Sequence, residues 1–139
     1  MKAALRVLFV CVHNSARSQM AEGMLRAWGG DRFEAHSAGT QARGVRPEAI
    51  AAMREIGIDI GAQRSKTLDR YAGQAWDFLV PVCEEANEAC PYVPGARTVE
   101  HWAFDDPSVG IMDDFRRIRD EIAMAVHDFI GRVDAAGEA

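Results

Sequence analysis

Apolar positions along this chain fall into two repeating patterns. Largely apolar runs at Leu5–Val10 and Trp76–Val82 have the length and composition of strands buried on both faces. Weaker alternation over Arg32–Ser37, broken at Ala38-Gly39, predicts a second strand, and Arg97–Trp102 predicts a short fourth one. Between them the period changes. A helix is predicted from about Ser18 to Trp28, and another over Pro47–Ile56, where Pro opens it, Ile50, Met53 and Ile56 share a face, and Gly57 stops it. Arg64–Leu68 reads as a loop entering a short helix, and Glu84–Ala89 is helix-compatible up to Cys90-Pro91. From Met112 to Val133, Phe115, Ile118, Ile122, Val126, Phe129, Ile130 and Val133 mark a long amphipathic helix. Strands alternating with helices predict an α/β fold, a four-stranded parallel sheet flanked by helices on both faces with right-handed crossovers. Candidate sites then belong at the carboxyl ends of the strands.

Composition narrows the picture. At 139 residues the chain is expected to form one domain, residues 1–139, large enough for a continuous core. A net charge of -5 argues against nucleic acid as partner, so an anion site must be a local positive pocket. Arg6 interrupts the opening apolar run, which is not read as a signal peptide, and no stretch reaches membrane-spanning length. The expectation is a cytoplasmic monomer. Three cysteines, Cys11, Cys83 and Cys90, are an odd set that favours redox or catalytic roles over a disulfide framework.

The chemistry concentrates in Cys11-Val12-His13-Asn14-Ser15-Ala16-Arg17-Ser18, between the first strand and the first helix. A strand turning through a short loop into a helix directs backbone N–H groups and the positive helix end at one spot, an anion cradle. A thiol placed there beside a guanidinium is favoured as the nucleophilic thiolate. Arg17 can hold a tetrahedral oxyanion through two parallel hydrogen bonds. Asn14 suits a loop position of positive φ, and Ser18 can either cap the helix or donate to the Cys11 sulfur.

Two further groups follow predicted strand ends. Cys83 and Cys90, seven positions apart, would lie roughly 10 Å apart on an intact helix, beyond the ~7 Å limit for a disulfide, so they can bond only if the segment unwinds. They form either a redox switch or two small core residues. No CxxC or close His pair gives zinc-ligand spacing, and no metal or cofactor is expected. Expulsion of oxide from an attacked oxyanion needs an acid, for which Asp105 and Asp106, in the turn before Pro107, are the candidates. His101 and Trp102 are expected to pack beside this turn, and His36 and His127 have no visible partner in the sequence.

Cys11 to Gly23, Ser37-Ala-Gly39, Gly57-Ile-Asp-Ile60, Cys83 to Cys90-Pro91 and Glu100 to Pro107 together resemble the thioredoxin-coupled arsenate reductases, which share the low-molecular-weight protein tyrosine phosphatase fold. The resemblance implies that residues Val12 to Arg17 bind arsenate, with phosphate or sulfate as mimics, and that Cys11 attacks it. It further implies that Asp106 is the general acid, that Cys83 and then Cys90 resolve the adduct, and that thioredoxin regenerates the enzyme. Some members hold potassium through residues matching Asn14, Glu22, Ser37 and an Asp at the position of Lys66. The Lys66 ammonium is expected to stand there instead, so no potassium dependence is expected. Three alternatives stand beside this reading: a low-molecular-weight tyrosine phosphatase, a reductase served by mycothiol or glutathione, and a non-catalytic oxyanion sensor. Gln19, where those phosphatases usually carry Pro, weighs against the first.

Overall fold

The computed structural model describes residues 3–84, 93–107 and 110–137. Its strands are β1 (Leu5–Cys11), β2 (Phe33–Gly39), β3 (Trp76–Pro81) and β4 (Ala96–Val99), and its α-helices are α1 (Arg17–Gly29), α2 (Pro47–Arg54) and α3 (Met112–Ala135). All pairings are parallel, in the order β2-β1-β3-β4. β1 and β3, the two largely apolar runs, take the two central places, where both faces are covered.

Alternate residues of β1 divide the interior. Val7, Phe9 and Cys11 join one buried cluster with Met20 and Met24 of α1, Met53 of α2, and Phe115, Ile118 and Phe129 of α3. Leu8 and Val10 join the other, closed by Tyr71, Trp76 and the 3-10 turn Leu68–Tyr71. Burial of each large apolar side chain in these clusters contributes roughly 1.5–3 kcal/mol. Arg119, only 8% exposed, ties α3 to α2 by donating to the carbonyl of Ala52 (3.0 Å) and to Glu55 (2.7 Å). At the start of α3, Asp114 accepts the Ile111 N–H (3.0 Å), and Asp113 and Asp114 meet the positive helix end.

Several boundaries differ from those the sequence predicts, three of them for a visible reason. β2 continues through Ala38 to Gly39 because these residues pair with Val10 and Cys11. α2 stops at Arg54, and its chain turns at Gly57 with φ 81°. β4 ends at Val99, after which Glu100 and Trp102 still donate to Leu79 and Pro81 as single hydrogen bonds. The predicted helical stretch Glu84–Ala89 and Cys90 lie, from residue 85 onward, outside the described residues. Among the described residues no helix is long and apolar enough to cross a membrane.

Candidate active site

Cys11 is the last residue of β1 and Arg17 the first of α1, so the loop 12–16 is the whole strand-to-helix turn. Its carbonyls are held from outside. Val12 O accepts Gln41 N (2.9 Å) and Thr40 Oγ1 (3.1 Å), His13 O accepts Arg43 N (3.2 Å), Asn14 O accepts Ser65 Oγ (2.8 Å), and Ser15 O accepts Arg46 N (2.8 Å). In a planar trans peptide the next N–H points the opposite way. The amides of His13, Asn14, Ser15 and Ala16 are therefore directed into the loop. No side chain caps α1 and no acidic residue lies in its first turn, so the positive helix end adds to the same spot. Gly39 closes against the loop so tightly that a Cβ would lie 2.7 Å from Val12 O and 2.9 Å from Asn14 N, which only glycine permits.

Asn14 is the hub. It is fully buried, with φ 48°, the only positive φ at a non-glycine among the described residues. Its Oδ1 accepts Lys66 N (2.7 Å) and Gln19 Nε2 (2.9 Å), which turns Nδ2 toward Ser18 Oγ (2.8 Å) and Ser37 Oγ (2.9 Å). Ser37 in turn donates to Glu22 (2.5 Å). Ser18 Oγ sits 2.9 Å from Cys11 Sγ, and when the sulfur is a thiolate the hydroxyl must be the donor. Of the two roles open to Ser18 this is the one it fills, because Ala16 occupies the N-cap.

Arg17 is almost completely buried, and its guanidinium is fixed by donation to Phe104 O (3.1 Å) and by Asp106, 3.7 Å away. The structure separates the two aspartates. Asp106 reaches the site, whereas Asp105 turns to Arg117 of α3 at 3.5 Å and is largely exposed. Cys83 lies two residues beyond the end of β3, where Val82 N still donates to Val10 O (2.9 Å). Continuing the register from Val10–Pro81 sets Cys11 opposite Val82, so Cys83 follows one position further along the neighbouring strand at the same carboxyl edge, and both cysteines belong to the same buried cluster. Cys83 is disulfide-bonded and Cys11 is a free thiol. The expected Cys90 partner position lies outside the described residues.

Lys66 Nζ stands 3.5 Å from Glu22 and donates to Arg64 O (2.8 Å). Burial pushes its ammonium below the ordinary lysine range, with Glu22 opposing the shift. Because Glu22 already faces this ammonium and Asn14 Oδ1 already accepts two donors, the residues matching the potassium ligands do not fit a bound potassium ion here.

Several supports were not apparent in the sequence. Gln19, fully buried, links Asn14 to Arg64 O (2.9 Å) and accepts Gln63 Nε2 (2.8 Å). His101 Nε2 donates to Cys83 O (2.6 Å), fixing the backbone at that cysteine, while Trp102 packs on Phe9. His36 and His127 do have partners: Glu34 (2.9 Å) with Tyr71 (3.2 Å) for the first, and the Trp28 ring at 4.1 Å for the second. Each contact joins positions far apart in the chain or on separate elements, apart from the His36–Glu34 pair along one strand.

A thiol, an inward ring of amides, a buried guanidinium and a carboxyl group meet at one edge of the sheet, the set of groups that attack on a tetrahedral oxyanion requires, and a second cysteine belongs to the same buried cluster. The model of the low molecular weight phosphotyrosine protein phosphatase family matches residues 6–139. Arsenate reductase 2 of Staphylococcus epidermidis is 42% identical over 123 residues, 88% of this chain and 94% of that protein. The arsenate reductase of Halalkalibacterium halodurans is 43% identical over 129 residues, 88% and 93% of the two chains. Among solved structures, an arsenate reductase in the phosphate binding state superposes with a TM-score of 0.83 at 32% identity, covering 93% of this chain and 98% of the other. A chain that this family model matches over residues 6–139, and that is 42–43% identical to arsenate reductases over most of both lengths, belongs to the low molecular weight phosphotyrosine protein phosphatase family, on the side of its arsenate reductases.

Proposed function

We propose that this protein is an arsenate reductase working through a three-cysteine relay, Cys11, Cys83 and Cys90, and regenerated by thioredoxin. The observation that carries the reading is Cys83, placed at the carboxyl end of the strand beside Cys11, in the same buried cluster, and disulfide-bonded while Cys11 is free. A phosphatase needs no such residue.

The chemistry runs in three exchanges. Arsenate enters the ring of loop amides, with Arg17 spanning two of its oxygens. The Cys11 thiolate, held by the Ser18 hydroxyl, forms an S–As bond as one oxygen leaves, protonated by Asp106. Arsenic is still As(V) at this point. The Cys83 thiolate then attacks the Cys11 sulfur, a disulfide forms, and the S–As bonding pair stays on arsenic, which departs as arsenite, As(III). The two electrons come from the two thiols. Cys90 next attacks the Cys83 sulfur, freeing Cys11 and leaving a Cys83–Cys90 disulfide for thioredoxin. His101, bonded to the Cys83 carbonyl, keeps the backbone of the resolving thiol in place.

The test is to incubate fully reduced protein with arsenate and no reductant, assay arsenite, and map disulfides by mass spectrometry. One equivalent of arsenite with a Cys83–Cys90 bond is the expected result. Arsenite with only Cys11–Cys83 removes Cys90 from the relay, and free thiols with no arsenite reject the reductase. A Cys90→Ser variant that stops thioredoxin-linked turnover but keeps turnover on mycothiol or glutathione separates the reductant classes. Because Cys11, Arg17 and Asp106 also suffice for phosphate ester attack, weak aryl phosphate hydrolysis accompanies the main activity.

A further inference from the structure

Most arginines of this acidic chain are taken up by carboxylates: Arg6 by Glu34, Arg32 by Asp134, Arg116 by Glu55 and Arg132 by Glu100. Arg64 and Arg70 are different. Both are exposed, neither forms an ion pair among the described residues, and both line one cavity with Ser65, Lys66 and Thr67. The cavity is about 480 Å³, and no carboxylate is part of its lining. The nearest acids are otherwise engaged, Asp69 with the Thr67 hydroxyl, and Glu22 behind Lys66 with Ser37 and Arg26. Arg70 and Lys66 are close enough to oppose each other's charge, and Lys66 is already partly stripped of water. Two guanidinium groups without a carboxylate partner among the described residues line this concave surface together with Lys66, whose ammonium is shared with Glu22, so the lining carries a net positive charge, and the volume suits a small ligand.

We propose that this cavity is a second oxyanion site, separate from the Cys11 loop, taking a tetrahedral dianion. The chemistry is shared by free phosphate, sulfate or arsenate and by the phosphate group of an ester. Residues 64–67 are also the strap that holds the catalytic loop. Ser65 Oγ donates to Asn14 O (2.8 Å), Lys66 N to Asn14 Oδ1 (2.7 Å), Arg64 O accepts Gln19 (2.9 Å), and Thr67 bridges Gly39. An anion joining the side chains of Arg64, Lys66 and Arg70 fixes this strap against the loop, so occupancy of the second site stiffens the first. The proposal does not depend on which reaction Cys11 performs.

Calorimetric titration of the reduced full-length protein with sulfate, which is not reduced, tests it. Two binding events per chain are expected. In the double variant Arg64→Gln, Arg70→Gln one event weakens at least tenfold while the other, at the loop, is retained. Adenosine monophosphate displacing sulfate from the second event far better than inorganic phosphate assigns the site to a phosphate ester, and equal displacement assigns it to the free ion. A single event in the unaltered protein, or two events that both survive the double substitution, overturns the proposal.

Discussion

Replacing Asn14 offers the sharpest test of how the loop is held, because the residue combines a strained backbone with a saturated side chain. Of its four hydrogen bonds, those to Ser18, Ser37 and Gln19 are buried and that to the Lys66 amide is partly buried. At about 1 kcal/mol each their loss costs about 4 kcal/mol. A residue other than Gly or Asn at φ 48° adds about 1 kcal/mol. Asn14→Ala should thus lose about 5 kcal/mol, comparable with the whole stability of a small domain. Asn14→Gly loses the same bonds but relaxes the backbone, so it should be about 1 kcal/mol more stable than the Ala variant, the reverse of the usual order. Urea unfolding of the reduced proteins, with the unfolding slope held constant, measures both. An Ala variant as stable as the Gly variant, or a loss below about 1 kcal/mol in either, would refute the account of Asn14 as hub.

Four other outcomes are expected. Asp106→Asn should lower arsenate turnover by about 10²–10⁴-fold, whereas Asp105→Asn, whose partner is Arg117, should leave it within a factor of about two; equal losses would mean a shared acid. Cys83→Ser should abolish arsenite release yet retain aryl phosphate hydrolysis, and loss of both would point to a folding defect. Replacing sodium by potassium should leave turnover unchanged, since Lys66 supplies the positive charge beside Glu22; a several-fold rise contradicts this. Finally, Arg132, helped by the Trp102 indole, holds the Glu100 carboxyl below its ordinary value of 4.5. The folded value lies under the unfolded one, so the stabilisation is complete above about pH 4.5 and disappears as pH falls through the folded value. Arg132→Gln should therefore flatten the acid-side decline in thermal stability, and an unchanged slope would show that Glu100 is not a source of it.

The parts of this protein legible in its sequence are those set by local pattern. Leu5–Val10 and Trp76–Val82 announce central strands by being apolar apart from Arg6 and Asp77 near their starts, and the seven apolar positions from Phe115 to Val133 announce α3 by their spacing. The loop is legible because Cys, Arg and a strand-to-helix change occur within a few residues. Less was readable where distant chain segments decide. Asp105 and Asp106 are neighbours in the same turn, and the difference between them comes from Arg117 on α3 and Arg17 on α1. Gln19 looks like an ordinary helix residue until Gln63 and Arg64, more than forty positions later, fold against it. β2 gains Ala38 and Gly39 only because β1 offers partners that far along.

Cys11 and Cys83 share one apolar cluster with Phe115, Ile118 and Phe129, so the proposed relay would join redox chemistry to the packing of the core. By linkage, any change that stabilises the reduced fold more than the oxidised one must shift the reduction potential of the thiols by the same free energy, about 30 mV for each 1.4 kcal/mol. A methyl group removed from α3, far from any reacting atom, is then an adjustment of electrochemistry. Sequence drift in the interior of such a protein retunes the driving force available to its reductant without touching the oxyanion loop.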